Sequence, residues 1–241
     1  MSILTVKNLN VKENGKNILD DISFEREEKG VYAILGKGGS GKTALARALA
    51  GISDYEGEIL YKDVELSQKG KAGAKLKAKI GYVPQKSFLY SDMTVYEALD
   101  FTARMRGVGA DKRVRQIKEA LELLEISRLN EALVGDLTPS DKKRVLFANA
   151  LMGNPGVILL DEPTLAVNPD DAALIRELIA MLGERKTVII FTEKILLANE
   201  LARDIGIISK GKLELWSSLD DIKERLNGDP NALLKAFMAF S

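Results

Sequence analysis

VYAILGKGGSGKTALARALAG, from Val31 to Gly51, decides the fold. It reads as a buried apolar strand, a glycine-rich turn and an alanine- and leucine-rich helix. That is the context in which the Gly-x-x-x-x-Gly-Lys-Ser/Thr pattern becomes a phosphate site rather than a chance string. Gly36, Gly38, Gly39 and Gly41, with Lys37 and Ser40 between them, allow a loop that curls around an anion with its backbone N–H groups pointing inward. The helix starting near Lys42 and continuing through Ala44 adds its positive N-terminal end to the same place. Lys42 is then set to reach the β- and γ-phosphates of a nucleotide, and the Thr43 hydroxyl to ligate Mg²⁺.

A second stretch, GVILLDEP from Gly156 to Pro163, is an apolar strand ending in two carboxylates. A parallel strand buried on both faces reads as such a continuous apolar run, and ligands collect at the carboxyl ends of these strands. Asp161 is expected to hold Mg²⁺, directly or through water. Glu162 is placed to orient or deprotonate an attacking water.

Composition narrows the field. At 241 residues the chain is expected to form one α/β unit over residues 1–241, long enough for a full core. Its 35 basic and 35 acidic residues leave no net field to attract nucleic acid, so no nucleic-acid partner is expected. The absence of cysteine rules out disulfides and thiol chemistry, which suits a reducing cytoplasm. No apolar stretch approaches the roughly 20 residues that span a bilayer, and MSILTVKN does not read as a signal peptide. Any membrane work is expected to go through a partner.

Glycine-loop kinases, GTPases and ATPases share the first stretch; the rest of the chain separates them. IGYVPQKSFLYSDMTVYEAL, Ile80 to Leu99, resembles the Q-loop region of ABC-type ATPases, with a proline before Gln85. LLDEP followed by Thr164, and later Asn168 and Pro169, is similar to that family's Walker B and D-loop. KTVIIFTEKILLANELARDIGIISKGKL, from Lys186, is similar to its strand, switch, helix, strand and glycine hairpin; LTVKNLNVKENGKNILDDISFEREEKG, from Leu4, to its first antiparallel strands. The resemblance covers residues 1 to about 220 in order. It implies an α/β P-loop NTPase fold: a RecA-like, mostly parallel sheet core, an antiparallel β subdomain, and an inserted helical subdomain at about 88–145. It also implies ATP and Mg²⁺ as ligands, with Gln85 joining Thr43 and Asp161 at the metal. Two such subunits would form a head-to-tail homodimer or heterodimer on an integral-membrane permease, at the cytoplasmic face of the membrane.

The departures are equally specific. Where the family has its glycine-rich signature, this chain has LTPSD, Leu137 to Asp141, followed by Lys142, Lys143 and Arg144. Pro139 has no N–H to offer an anion, and Asp141 would repel phosphate. Thr-Pro-Ser-Asp is instead a good helix start. The chain has no histidine, and the family's switch histidine aligns with Glu193. Two like charges about 4 Å apart cost roughly 4 kcal/mol at an effective dielectric of 20. Glu193 is therefore expected to turn away, stay protonated, or sit where the two-subunit geometry is never completed. Lys194 could offer a replacement cation, although adjacent strand residues point to opposite sides. Asn168 stands in place of an aspartate, and Glu13 in place of an adenine-stacking aromatic.

The expected activity is thus an ATPase, slow or partner-dependent, serving an exporter; the alternative is a regulatory subunit that binds ATP with little hydrolysis. TVYEALDFTARMRG and DKRVRQIKEALELLEISRLNEAL read as helices, the second continuing to Leu133. The lysine-rich run at 67–79 reads as a solvated connection, or else as a contact for anionic lipid heads. The tail at about 217–241 begins with a cap at Ser218 and ends in an apolar helix, for packing on the core or for dimer contact.

Overall fold

Two sheets and a layer of helices account for the chain in the computed structural model, which describes residues 3–67 and 70–240. Strands β1 (Leu4–Glu13) and β2 (Lys16–Arg26) form a hairpin, followed by β3 (Gly30–Leu35) and helix α1 (Lys42–Leu49). Strands β4 (Glu56–Tyr61) and β5 (Val64–Glu65), helix α2 (Gly70–Lys77) and strand β6 (Ile80–Val83) lead to helices α3 (Val95–Met105), α4 (Ala110–Leu123) and α5 (Pro139–Leu151). Strand β7 (Val157–Asp161), helix α6 (Pro169–Gly183), strand β8 (Thr187–Thr192) and helix α7 (Ile195–Leu201) come next. Strands β9 (Asp204–Ser209) and β10 (Lys212–Ser218) precede helices α8 (Leu219–Arg225) and α9 (Ala232–Phe240).

The antiparallel sheet runs β2-β1-β4-β5 and the six-stranded sheet β10-β9-β3-β8-β7-β6. In the latter, β9, β3, β8, β7 and β6 are parallel and only the edge strand β10 is antiparallel. Alternation along the parallel strands feeds two separate cores. Val31, Ala33 and Leu35 face the helices α3 to α9, whereas Tyr32 and Ile34 face α1 and the antiparallel sheet. Every residue of β7 and β8 is buried, as their unbroken apolar runs require. The expected α/β architecture with an antiparallel sheet and an inserted set of helices is the one observed.

Two expectations need correction. The lysine-rich run is no mere connection: Gly70–Lys77 is helical, since alanine, leucine and lysine are all good helix formers. Lys77 Nζ donates to the Gly51 carbonyl at 2.8 Å, and Leu76 packs on the core beneath the antiparallel sheet. The helix expected to reach Leu133 ends at Leu123. Leu124 and Ile126 are both fully buried, but two residues apart they would lie about 200° apart on a helix. Glu125 turns the chain with φ +55°, and a 3₁₀ turn at Ser127–Leu129 follows.

The Ser218 hydroxyl accepts from Asp221 N at 3.0 Å, and Leu233 and Phe237 of α9 enter the helical core. Leu234, Met238 and Phe240 stay on the outer side.

Candidate functional site

Strand β3 ends at the glycine loop, and backbone crowding explains its composition. A Cβ at Gly36 would lie 2.4 Å from Ser40 Oγ and 2.6 Å from the Ile208 carbonyl. Gly41, with φ +107°, would bring a Cβ within 2.7 Å of Leu19. The loop then turns directly into α1, where Lys42 lies buried. Its Nζ donates to the carbonyls of Gly36 at 2.6 Å and Lys37 at 3.1 Å, so the lysine arches back over its own loop.

Strand β7 places Asp161 beside this loop. Its carboxylate is fully exposed to no solvent, with a relative exposure of 0%, and neither oxygen has a hydrogen-bond partner among the described residues. Burial raises its pKa; the nearby Thr43 hydroxyl, Lys42 and Lys143 oppose the shift without cancelling it. A buried carboxylate with no donor, next to a threonine hydroxyl, is a donor set that fits a hard cation such as Mg²⁺.

Glu162 follows with φ +47°, a left-handed backbone uncommon outside glycine and a strain of order 1–3 kcal/mol. Backbone and side-chain hydrogen bonds hold it, the Leu165 N–H donating to its carbonyl at 3.1 Å among them. Its N–H donates to the Phe191 carbonyl at 2.9 Å, and its own carbonyl accepts from Lys143 Nζ at 3.3 Å. Its Oε1 accepts from Glu193 N and its Oε2 from Thr192 Oγ1, both at 2.9 Å. The carboxylate is thereby aimed by the end of β8.

A cavity of about 480 Å³ collects Gly38, Gly39, Ser40, Gly41, Lys42, Thr43, Ala44, Gln85, Asp161 and Glu162. All the expected site residues thus line it except Gly36 and Lys37, whose carbonyls hold the Lys42 that does. Glu13 lines it as well, at the place where a stacking aromatic was missed in the sequence.

At the switch position the structure speaks to the first expectation, that Glu193 turns away. Glu193 Oε1 lies 3.6 Å from Lys42 Nζ, with the side chain 53% exposed. The side chain does not turn away; it forms an ion pair with the loop lysine. Lys194 does point elsewhere: its Nζ donates to the Thr164 carbonyl and hydroxyl, each at 3.0 Å.

The LTPSD segment starts α5, with Thr138 as N-cap and Pro139 in the first turn. The Thr138 hydroxyl accepts from Asp141 N at 3.1 Å and donates to Asp141 Oδ2 at 2.8 Å. Ser140 Oγ donates to Asp171 Oδ2, and Asn168 caps α6 by accepting from Asp171 N at 2.9 Å. Both hydroxyls are spent inside the chain.

Sequence reasoning missed two residues here. Arg47 lines the cavity; its spacing of four from Thr43 on α1 puts both on one helix face. Lys143 is 5% exposed, and its Nζ donates to the carbonyls of Pro84 and Gln85 at 3.4 Å as well as to Glu162. Burial lowers its pKa, against the pull of Asp161 and Glu162. A lysine among Val145, Leu146 and Phe147 was the available signal.

A parallel sheet that ends in a glycine loop, a buried aspartate and an oriented glutamate defines a P-loop nucleotide-binding protein. The ABC transporter family model matches residues 19–165, and the chain belongs to that family as an ATP-binding subunit. It is 31% identical over 225 residues to the arginine transport ATP-binding protein ArtP of Haemophilus influenzae, covering 90% of this chain and 93% of that one. It is 29% identical over 225 residues to an uncharacterized ABC transporter ATP-binding protein of Methanocaldococcus jannaschii, covering 92% and 80%. A solved dimeric ATP-binding cassette in a post-hydrolysis state, bound to ADP and Pi, superposes with a TM-score of 0.82 at 25% identity, covering 90% of this chain and 98% of that one. ABC ATPases bind ATP with Mg²⁺, dimerise and work with membrane permeases. No helix among the described residues is long and apolar enough to cross a membrane.

Proposed function

We propose that residues 1–241 act as one nucleotide-binding unit that hydrolyses Mg-ATP slowly and couples the cycle to a separate permease. The observation that carries this is Glu162: a strained, buried carboxylate aimed into the cavity by Thr192 and the Glu193 amide. The loop amides and Lys42 would hold the phosphates, while Thr43, Asp161 and Gln85 would hold Mg²⁺. The metal supplies charge neutralisation on the phosphate oxygens. Glu162 would take a proton from the attacking water as its oxygen bonds to the terminal phosphorus and the bond to the bridging oxygen breaks. The subunit would work as a homodimer or a heterodimer at the cytoplasmic face of the membrane, in the direction of export.

A second reading, a regulatory subunit that binds ATP with little hydrolysis, is favoured by the inward-facing Thr138 hydroxyl and the Lys42–Glu193 pair. Steady-state Mg-ATP turnover beside a Glu162→Gln control separates the two. Turnover lost in the control supports the ATPase. Turnover equal to the control, with nucleotide still bound, refutes it and leaves the regulatory subunit.

A further inference from the structure

We infer that Glu193 sets the nucleotide specificity of this site: its carboxylate stands where a terminal phosphate would bring negative charge, so the chain holds a nucleoside diphosphate more tightly than the triphosphate. The inference rests on reading the cavity as the nucleotide site.

Two distances place the carboxylate in the mouth of the loop. Glu193 Oε1 is 3.6 Å from Lys42 Nζ. The same oxygen would lie 3.5 Å from a Cβ built on Gly38, so it hangs directly over the glycine loop. Both residues line the same cavity as Thr43 and Asp161. Lys42 is the group expected to serve the β- and γ-phosphates, and here one of its neighbours is already an anion.

The backbone beneath Glu193 is held by Glu162, while its side chain reaches solvent. Its N–H is bonded to Glu162 Oε1 at 2.9 Å, yet the side chain is 53% exposed. The carboxylate can therefore pivot toward solvent without disturbing Glu162. A diphosphate can use the loop amides and leave Glu193 in place. A triphosphate must either displace the carboxylate from Lys42 or meet it as a like charge. The same side chain that makes the resting loop electrically satisfied thus penalises the longer phosphate chain.

The test is calorimetric. Dissociation constants for Mg-ADP and for a β,γ-imido ATP analogue are measured in the wild-type chain, Glu193→Gln and Glu193→Ala. The expected result is a wild-type preference for ADP, with the analogue tightening at least ten-fold in both variants while ADP changes less than three-fold. Retained ADP affinity certifies that each variant is folded. A parallel shift for both nucleotides, or no tightening of the analogue, overturns the inference and leaves the nucleotide site intact. A wild-type chain that binds neither nucleotide overturns the site reading and the inference together.

Discussion

Replacing Asp161 by asparagine should stabilise the nucleotide-free protein and abolish the stabilisation that Mg²⁺ adds to bound nucleotide. The carboxylate is completely buried with both oxygens unpartnered, and burial raises its pKa from an ordinary 3.8 despite Thr43, Lys42 and Lys143. A raised carboxyl pKa means that the folded state holds the proton more tightly than the unfolded chain. The penalty is absent below the unfolded value, grows as pH rises through the raised folded value, and is complete above it. An unsatisfied buried polar group costs about 1–3 kcal/mol and a charged one more; asparagine leaves an unpartnered amide but removes the charge, and a saving of similar size is expected. At roughly 2–4 °C per kcal/mol for a chain of this size, the nucleotide-free variant should melt about 2–12 °C higher at neutral pH. The gain should shrink as pH is lowered toward 4. Ligand at a hundred times its dissociation constant adds about 2.7 kcal/mol, and in the variant the Mg²⁺-dependent part of that increment should vanish. Scanning calorimetry with EDTA, and then with Mg²⁺ and a non-hydrolysable ATP analogue, reads both effects. A nucleotide-free variant that melts below wild type, or one that keeps the full Mg²⁺ increment, would refute the reasoning.

Gly36→Ala forces a Cβ against the Ile208 carbonyl at 2.6 Å, and that backbone cannot yield cheaply. ADP affinity measured by calorimetry should weaken at least ten-fold, about 1.4 kcal/mol; unchanged affinity would mean that the loop does not hold phosphate. Thr138→Ala removes the N-cap of α5, which should cost about 1 kcal/mol of stability with no change in ADP affinity. A matching loss of affinity would show that the hydroxyl faces nucleotide after all. Lys143→Met strips the donor from the carbonyls of Pro84, Gln85 and Glu162. It should cost about 1–3 kcal/mol and speed amide exchange around Gln85, and undiminished protection there would count against the bridge.

Legibility followed the reach of each interaction. The glycine loop, β7 and the cap at Thr138 were readable because each is decided by residues adjacent in sequence: backbone freedom at Gly36 and Gly41, four apolar residues before Asp161, a hydroxyl three residues before Asp141. The end of α4 was not, because Leu124 and Ile126 choose burial against distant helices over the helix they both favour. Lys143 escaped for the same reason: its three acceptors lie 19, 58 and 59 positions away. Helix α2 was missed through reading lysines as solvated charge rather than as helix formers.

The fate of Glu193 shows why composition alone misjudged the switch. Considered against phosphate, its charge is a liability, and turning away was the natural outcome. Considered against the resting loop, the nearest charge is Lys42, buried and already bonded to two carbonyls of its own loop. An exposed ion pair is worth at most about 1 kcal/mol. The half-exposed side chain makes this pair weak enough to open, while the lysine's burial spares it part of the screening. Glu193 also serves the site through its backbone, since its amide aims Glu162. The two roles use different atoms. Displacing the carboxylate from Lys42 leaves the hold on Glu162 unbroken, so what this position exacts on binding need not be exacted again on water activation. A histidine at 193 would change the first role and preserve the second.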